Sequence, residues 1–252
     1  SGDAIQNLYG RIAENRLHRA DALGALSTRD IKNDYIQRIA DDIQIERKLK
    51  VVVDCGSGVA GLIAPDLLAA IGAEVEPLYC DVDGMFPHHH PDPSDPANLV
   101  DLIGIVQRVG ADIGLALDGD GDRLGVVTKA GEIIYPDRLL MLFASDVLER
   151  NPGACVIYDV KCTGNLASHI LRHGGSPLMW KTGHSLIKSK MKETEAELAG
   201  EMSGHFFFRE RWYGFDDGLY AGARLLEILA ARPESPTEQL NALPDGISTP
   251  EI

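Results

Sequence analysis

Residues 118 to 123 read Asp-Gly-Asp-Gly-Asp-Arg, three carboxylates at alternate positions with glycine between them. Hard divalent cations take clustered carboxylate oxygens, and glycine lets a short loop turn Asp118, Asp120 and Asp122 inward together. Calcium and magnesium both suit such a loop. A calcium EF-hand counted from Asp118 needs Gly at its sixth position and Glu at its twelfth, and finds Arg123 and Lys129, so that reading fails. A solvated acidic turn is the plainer alternative. Arg123 weighs against it, because an arginine beside a metal loop suits a phosphate that the metal also touches.

Two further groups have types and spacing suited to chemistry. In Gly200-Glu-Met-Ser-Gly-His205, the residues Glu201, Ser203 and His205 alternate and share one face if the backbone is extended. A carboxylate, a hydroxyl and an imidazole then meet the hydrogen-bond demands of vicinal sugar hydroxyls; a polar strand end is the alternative. Thr182-Gly183-His184 lies between a strand and a helix, where unpaired backbone N–H groups favour an anion, and Lys161 ends another strand of the same sheet. Together these residues describe a site for a phosphorylated sugar.

Gly56-Ser-Gly-Val-Ala-Gly61 formally satisfies the dinucleotide fingerprint, with Asp81 where a ribose acid would stand. It is the main rival, although the same glycines serve any tight strand-to-helix turn. The run His88-His89-His90 alternates its side chains between two faces, so all three cannot share one ion, and its flanking prolines suggest a structural loop.

The elements that must hold these residues alternate regularly after residue 50, which predicts an α/β fold of two similar units, each a mixed, mostly parallel sheet with flanking helices. Strands are expected at 50–54, 73–79, 113–117 and 124–128, with helices near 61–71 and 97–109. A turn at 129–132 closes a hairpin. The second unit reads as helix 137–150, strand 155–160, helix 163–173 capped by Thr163, strand 177–181, helix 184–193, strand 197–201 and helix 216–231. The expected division is a helix (4–17) and connector over 1–29, a metal-binding unit over 30–131, a sugar-binding unit over 132–240, and a linker over 241–252 whose polar, proline-rich character starts at Pro233.

The 252 residues are 44% hydrophobic, enough for substantial cores, and carry a net charge of -14. That charge argues against nucleic acid and anionic membranes as partners, and no apolar run approaches a membrane span. Cys55, Cys80, Cys155 and Cys162 show no Cys-x-x-Cys spacing, which points to reduced thiols and a cytoplasmic setting. The chain starts Ser1-Gly2-Asp3 without methionine and stops in the extended segment 247–252, so it is expected to be a piece of something longer.

The combination of Asp118-Gly-Asp-Gly-Asp-Arg123, Asp159-Val-Lys-Cys162, Lys181-Thr-Gly-His-Ser185 and Gly200-Glu-Met-Ser-Gly-His205 resembles the α-D-phosphohexomutases, most closely the bacterial phosphomannomutase/phosphoglucomutase group. The motifs run in order through nearly the whole chain. The resemblance implies an isomerase of carbohydrate metabolism, a monomeric phosphoprotein of four domains in which a phosphoserine and a bisphosphorylated intermediate interconvert hexose 1- and 6-phosphates. It implies Mg²⁺ on Asp118, Asp120 and Asp122, and Arg123 on the phosphoserine or substrate phosphate. Lys161 and His184 would transfer protons and contact phosphate, while Gly183, Glu201, Ser203 and His205 would bind substrate. No Thr-Ala-Ser-His-Asn-Pro-type serine loop and no C-terminal Arg-x-Ser-type phosphate loop is present, so the chain looks like the second and third domains alone. Such a piece needs other domains of the same polypeptide to turn over substrate. Gly164 stands where close relatives often have a basic residue, and Met202 leans toward mannose and glucose phosphates.

Overall fold

A computed structural model describes residues 2–246. They fall into two units by their internal contacts, one up to residue 31 and one from residue 32. In the first, helix α1 (Gly2–Ala13) has no buried residue and ends four residues before the expected Leu17.

The second unit holds everything else. Its first half runs α2 (Lys32–Ala40), β1 (Lys50–Asp54), α3 (Ala64–Ala70), β2 (Glu74–Leu78), α4 (Val100–Val109), β3 (Ile113–Leu117), β4 (Leu124–Thr128) and β5 (Ile133–Ile134). The sheet order is β2-β1-β3-β4-β5, with β1 parallel to β2 and β3 while β4 and β5 run antiparallel. Its second half runs α5 (Pro136–Arg150), β6 (Cys155–Asp159), α6 (Asn165–Arg172), β7 (Ser176–Trp180), α7 (His184–Thr194), β8 (Leu198–Gly200), β9 (Phe206–Phe208), α8 (Gly218–Ala230) and α9 (Pro236–Asn241). There the order is β7-β6-β8-β9, three parallel strands closed by an antiparallel one. The expected pair of mixed α/β sheets is what forms.

Strand periodicity sorts the apolar side chains between two faces. Val51 and Val53 enter one core with Val156, Tyr158, Phe206 and Phe208, while Val52 faces a separate cluster under α4, and Ile157 and Phe207 face another under α7. Each sheet therefore has a private outer helix and shares its inner face. Helix α8 packs against β3, β4 and β9, so one apolar core runs through both halves. Full burial of each Leu, Ile or Phe side chain contributes roughly 1.5–3 kcal/mol. Arg224 of α8 is fully buried in this core, held by Asp146 (2.8 Å), Glu210 (2.8 Å) and Glu227 (3.3 Å), over the face of Phe208.

Some expectations are corrected. The stretch after Pro233 is not simply a linker: Ser235 accepts from the Glu238 N–H while the Glu238 carboxylate accepts from the Ser235 N–H, and Pro236 opens α9. Arg138 then donates to the carbonyls of Leu240 and Leu243, fastening the chain behind that helix. Residues 247–252, the rest of the expected linker, lie outside the described residues. Helix α6 starts at Asn165; Gly164 holds the position before it, and Thr163 accepts from the Asn165 N–H through its hydroxyl. Residues 206–208, unassigned in the sequence, form β9.

Candidate active site

Leu117 pairs with Leu124 across β3 and β4, so residues 118–123 are the turn of a hairpin at the C-terminal end of a parallel strand. Asp118 is buried, and its Oδ1 accepts from the backbone N–H groups of Gly121 and Arg123, both at 3.0 Å. Its Oδ2 accepts from Arg123 Nε at 2.7 Å. Burial pushes the Asp118 carboxyl up against these bonds. Gly121 takes φ +82°, the left-handed conformation that lets the chain reverse inside the loop. Asp118, Asp120 and Asp122 each bring a carboxylate oxygen within 4.8 Å of the others. Octahedral magnesium with bonds of about 2.1 Å places its oxygens roughly 3 to 4.2 Å apart, a spacing comparable with this grouping, and the all-oxygen chemistry fits a hard cation.

Gly200 pairs with Phe206 across β8 and β9, so residues 201–205 form the matching hairpin turn in the second sheet. The backbone is not extended there. The Glu201 N–H donates to the His205 carbonyl, the Gly204 N–H donates to the Glu201 carbonyl, and Gly204 sits at φ +97°. Glu201, Ser203 and His205 converge because the chain turns, not because it alternates. Ser203 Oγ lies 2.7 Å from His205 Nδ1, and Glu201 Oε2 lies 3.4 Å from it. Glu201 is buried, and its Oε1 accepts the Gly183 N–H at 2.5 Å. The N–H expected to await an anion is thus already bonded to a carboxylate of the protein.

The two turns join directly. Arg123 and His205 form an antiparallel bridge, the Leu124 N–H donates to the Gly204 carbonyl at 3.0 Å, and His205 Nε2 stands 3.2 Å from Asp122 Oδ1. Burial opposes a charge on His205, but Asp122 and Glu201 outweigh it and hold the imidazole at about 9. The same contact holds the Asp122 carboxyl below its ordinary value, against burial. Asp122, His205 and Asp216 form a second cluster of possible metal ligands. The all-oxygen set of three aspartates suits a hard cation better than a set that includes an imidazole.

His184 opens α7 with its ring 5.8 Å from that of His205 and Nδ1 3.1 Å from Asp216. Lys161 is exposed just beyond β6 and lines, with Met202, Ser203 and Tyr135, a cleft of about 460 Å³. The cleft reaches the sugar-side turn and stops short of the aspartates. All ten expected residues therefore lie along one edge: the aspartates, Arg123, Gly183, Glu201, Ser203, His205 and His184 in a connected group, and Lys161 at the adjoining cleft.

Sequence reasoning missed Asp92, whose Oδ1 accepts from Arg123 Nη1 at 2.9 Å and fixes the guanidinium from its second side. It also missed Lys188 and Asp216, which are 2.7 Å apart. Lys188 follows His184 by one helical turn, a signal that was available. Asp216 had none, since only the bridge between Phe207 and Asp216 brings it back to the site. The dinucleotide reading fares poorly. A side chain at Gly58 would meet the Gly119 carbonyl oxygen at 2.8 Å, and one at Gly61 would overlap the Cys80 carbonyl oxygen. Those glycines serve chain packing. The histidine run is structural as expected: His89 Nε2 lies 3.0 Å from buried Asp54, and His88 stacks on Tyr79.

A family model described as phosphoglucomutase/phosphomannomutase, alpha/beta/alpha domain II, matches residues 33–131, and the one for domain III matches residues 135–246. The chain belongs to this family. Over all 252 residues it is 59% identical to a phosphomannomutase/phosphoglucomutase of Pseudomonas putida and 58% identical to a phosphoglucomutase of Neisseria meningitidis, covering 54% and 55% of them. A crystal structure of a phosphoglucomutase/phosphomannomutase family protein from Burkholderia thailandensis superposes with a TM-score of 0.95 at 59% identity, covering 98% of this chain and 54% of that one. The chain thus spans about half the length of the curated relatives it matches. Among the described residues no helix is long and apolar enough to cross a membrane.

Proposed function

We propose that the chain is the metal-binding and sugar-binding part of a phosphohexomutase that interconverts the 1- and 6-phosphates of mannose or glucose through a phosphoserine and a bisphosphorylated sugar. The observation that carries this reading is the joining of the two hairpin turns, with Asp122 against His205. It brings three clustered carboxylates beside a buried carboxylate and a hydroxyl, which supports reading this edge as a place for a cation-bound phosphate and a sugar. Asp118, Asp120 and Asp122 would hold Mg²⁺, which when bound neutralises charge on a transferring phosphoryl group.

The chain's own residues do the rest by positioning. Arg123, clamped between Asp118 and Asp92, presents its guanidinium to phosphate. Glu201 and Ser203 receive sugar hydroxyls, with Gly183 beside them releasing or sharing its bond to Glu201. His205, 3.2 Å from Asp122 and 3.4 Å from Glu201, contacts the substrate from the same turn. Lys161 and His184 contact phosphate and transfer the hydroxyl proton. The family resemblance also supports a monomer that works in the cytoplasm alongside further domains, and the four free cysteines suit a reducing compartment.

The test is ligand binding by the 252-residue chain. Nuclear magnetic resonance should show glucose 1-phosphate and mannose 1-phosphate perturbing the amides of 183 and 201–205 in the presence of Mg²⁺, without product forming. Perturbation confined to other surfaces, or steady turnover by this chain lacking a serine loop, would defeat the reading.

A further inference from the structure

Two of the four cysteines lie together at a place the catalytic reading does not use. Cys55 and Cys80 follow the parallel strands β1 and β2, and their sulfurs are hydrogen-bonded at 3.5 Å. Cys55 is buried and Cys80 only partly so, which leaves one sulfur reachable and the other behind it. The strand ends are laced by the Cys55 N–H to the Leu78 carbonyl (3.1 Å) and the Ser57 N–H to the Tyr79 carbonyl (2.8 Å). A disulfide needs sulfurs about 2.05 Å apart, so closure asks for an approach of roughly 1.5 Å between neighbouring chains. We propose that Cys55 and Cys80 are a reversible oxidation site, at which a hydroperoxide drives a disulfide that displaces the turn supporting the aspartate loop.

The chemistry balances with the peroxide as the named oxidant. The Cys80 thiolate attacks one peroxide oxygen, the O–O bond breaks, and water leaves after protonation, giving a sulfenic acid. The Cys55 sulfur then attacks the Cys80 sulfur, the S–O bond breaks, and a second water departs with the Cys55 proton. Two thiols are oxidised by two electrons and one hydrogen peroxide is reduced to two waters. Cys80 is the suited attacker. Its hydrogen bond with Cys55 holds its thiol below the ordinary value despite burial. Burial pushes Cys155 and Cys162 up.

The consequence for the loop follows from contacts already tight. The backbone of Cys80 lies against Gly61, where not even a Cβ could fit, so the bond cannot pull Cys80 inward without moving the 59–62 turn. That turn carries the Val59 N–H, which donates to the Gly119 carbonyl at 3.0 Å, and Gly58 packs on the same carbonyl. Gly119 stands between Asp118 and Asp120. Gly56 and Ser57 already occupy left-handed conformations, at φ 50° and 60°, and leave the turn little slack to absorb a shift.

The test treats the 252-residue chain with hydrogen peroxide and follows it by mass spectrometry, with amide hydrogen exchange on the same samples. Oxidised chain should lose two of its four thiols and about 2 Da, show a Cys55 to Cys80 cross-linked peptide, and recover on addition of dithiothreitol. Exchange in segments 55–62 and 118–123 should accelerate about ten-fold, while 165–172 stays unchanged. Cys55→Ser should abolish the cross-link and leave Cys80 as a sulfenic acid that a dimedone probe traps. Oxidation that stops at isolated sulfinic acids, or that links either residue to Cys155 or Cys162, would overturn the site. A Cys55 to Cys80 disulfide with unchanged exchange at 118–123 would overturn the coupling to the loop. Neither readout depends on metal or sugar binding, so their failure is distinct from failure of the proposed activity.

Discussion

The turn from β3 to β4 and the turn from β8 to β9 hold the same place in two sheets of the same plan, yet they carry different chemistry. In both, the third parallel strand reverses into an antiparallel one. The first turn spends five residues on alternating aspartate and glycine and a sixth on Arg123, while the second spends five on Glu, Met, Ser, Gly and His. The central strands differ in the same way. Asp54 ends β1 and Asp159 ends β6, both buried. Asp54 accepts from the Gly56 N–H and binds His89, steadying the loop that carries His89. Asp159 accepts from the Thr182 hydroxyl, the Met202 N–H and the Cys162 thiol, gathering three segments around the start of the 201–205 turn. Fold position fixes where a reactive turn can stand, and the side chains bonded behind it decide what it does.

The largest test of the pairing removes what both halves share. Arg224→Leu leaves Asp146, Glu210 and Glu227 without their buried cation, and we expect a loss of about 3–5 kcal/mol, read as a fall in the urea midpoint. A loss below about 1 kcal/mol would mean that Arg150 and Arg211 alone satisfy those carboxylates. Next, Asp159→Ala should cost about 2–3 kcal/mol and Asp54→Ala about 1–2 kcal/mol, because the first strands three donors and the second fewer. Equal costs would dissolve the distinction drawn between the two strand ends.

A smaller effect separates the turns by chemistry. Asp120→Asn should weaken Mn²⁺ binding about ten-fold by calorimetry, whereas Glu201→Gln should leave it within about two-fold and reduce sugar-phosphate binding instead. The smallest effect is on acid stability. Burial opposes ionisation of Asp146, but Arg150 and Arg224 outweigh it and hold its carboxyl below the usual range. The folded protein therefore binds this proton less readily than the unfolded chain. The contribution is complete above the unfolded carboxylate value of about 3.9 and is lost as pH falls through the lower folded value. Urea midpoints measured from pH 6 to pH 3 should fall less steeply in Asp146→Asn; an unchanged slope would remove Asp146 from the acid response.

Much of this was legible in the sequence where one short segment carries its own geometry. Asp118, Asp120 and Asp122 alternate within one short segment, so the loop and the strand end behind it are read together. The apolar strands β1, β3 and β6 declared themselves by composition. Misreadings arose where distant residues decide. Glu201 to His205 looked like an alternating strand until β9 pulled the chain back through Gly204. Asp92 and Asp216 reach the site only through tertiary folding, so no spacing announces them. The proline-rich stretch from Pro233 reads as a linker, although Ser235, Pro236 and Glu238 make a helix start.

The seam between the turns bears on how the molecule can move. With the Leu124 N–H on the Gly204 carbonyl, the Gly218 N–H on the Gly121 carbonyl, and one core running beneath both sheets, the two turns have no hinge between them. Mechanically they are one rigid jaw. Separating a cation on Asp120 from a sugar on Glu201 would require breaking backbone bonds and opening packed apolar surface together, a motion on the scale of local unfolding. On the proposed activity, any opening and closing that substrate exchange requires would be borne by whatever approaches this edge from outside, and the spacing between Asp120 and Glu201 would stay constant.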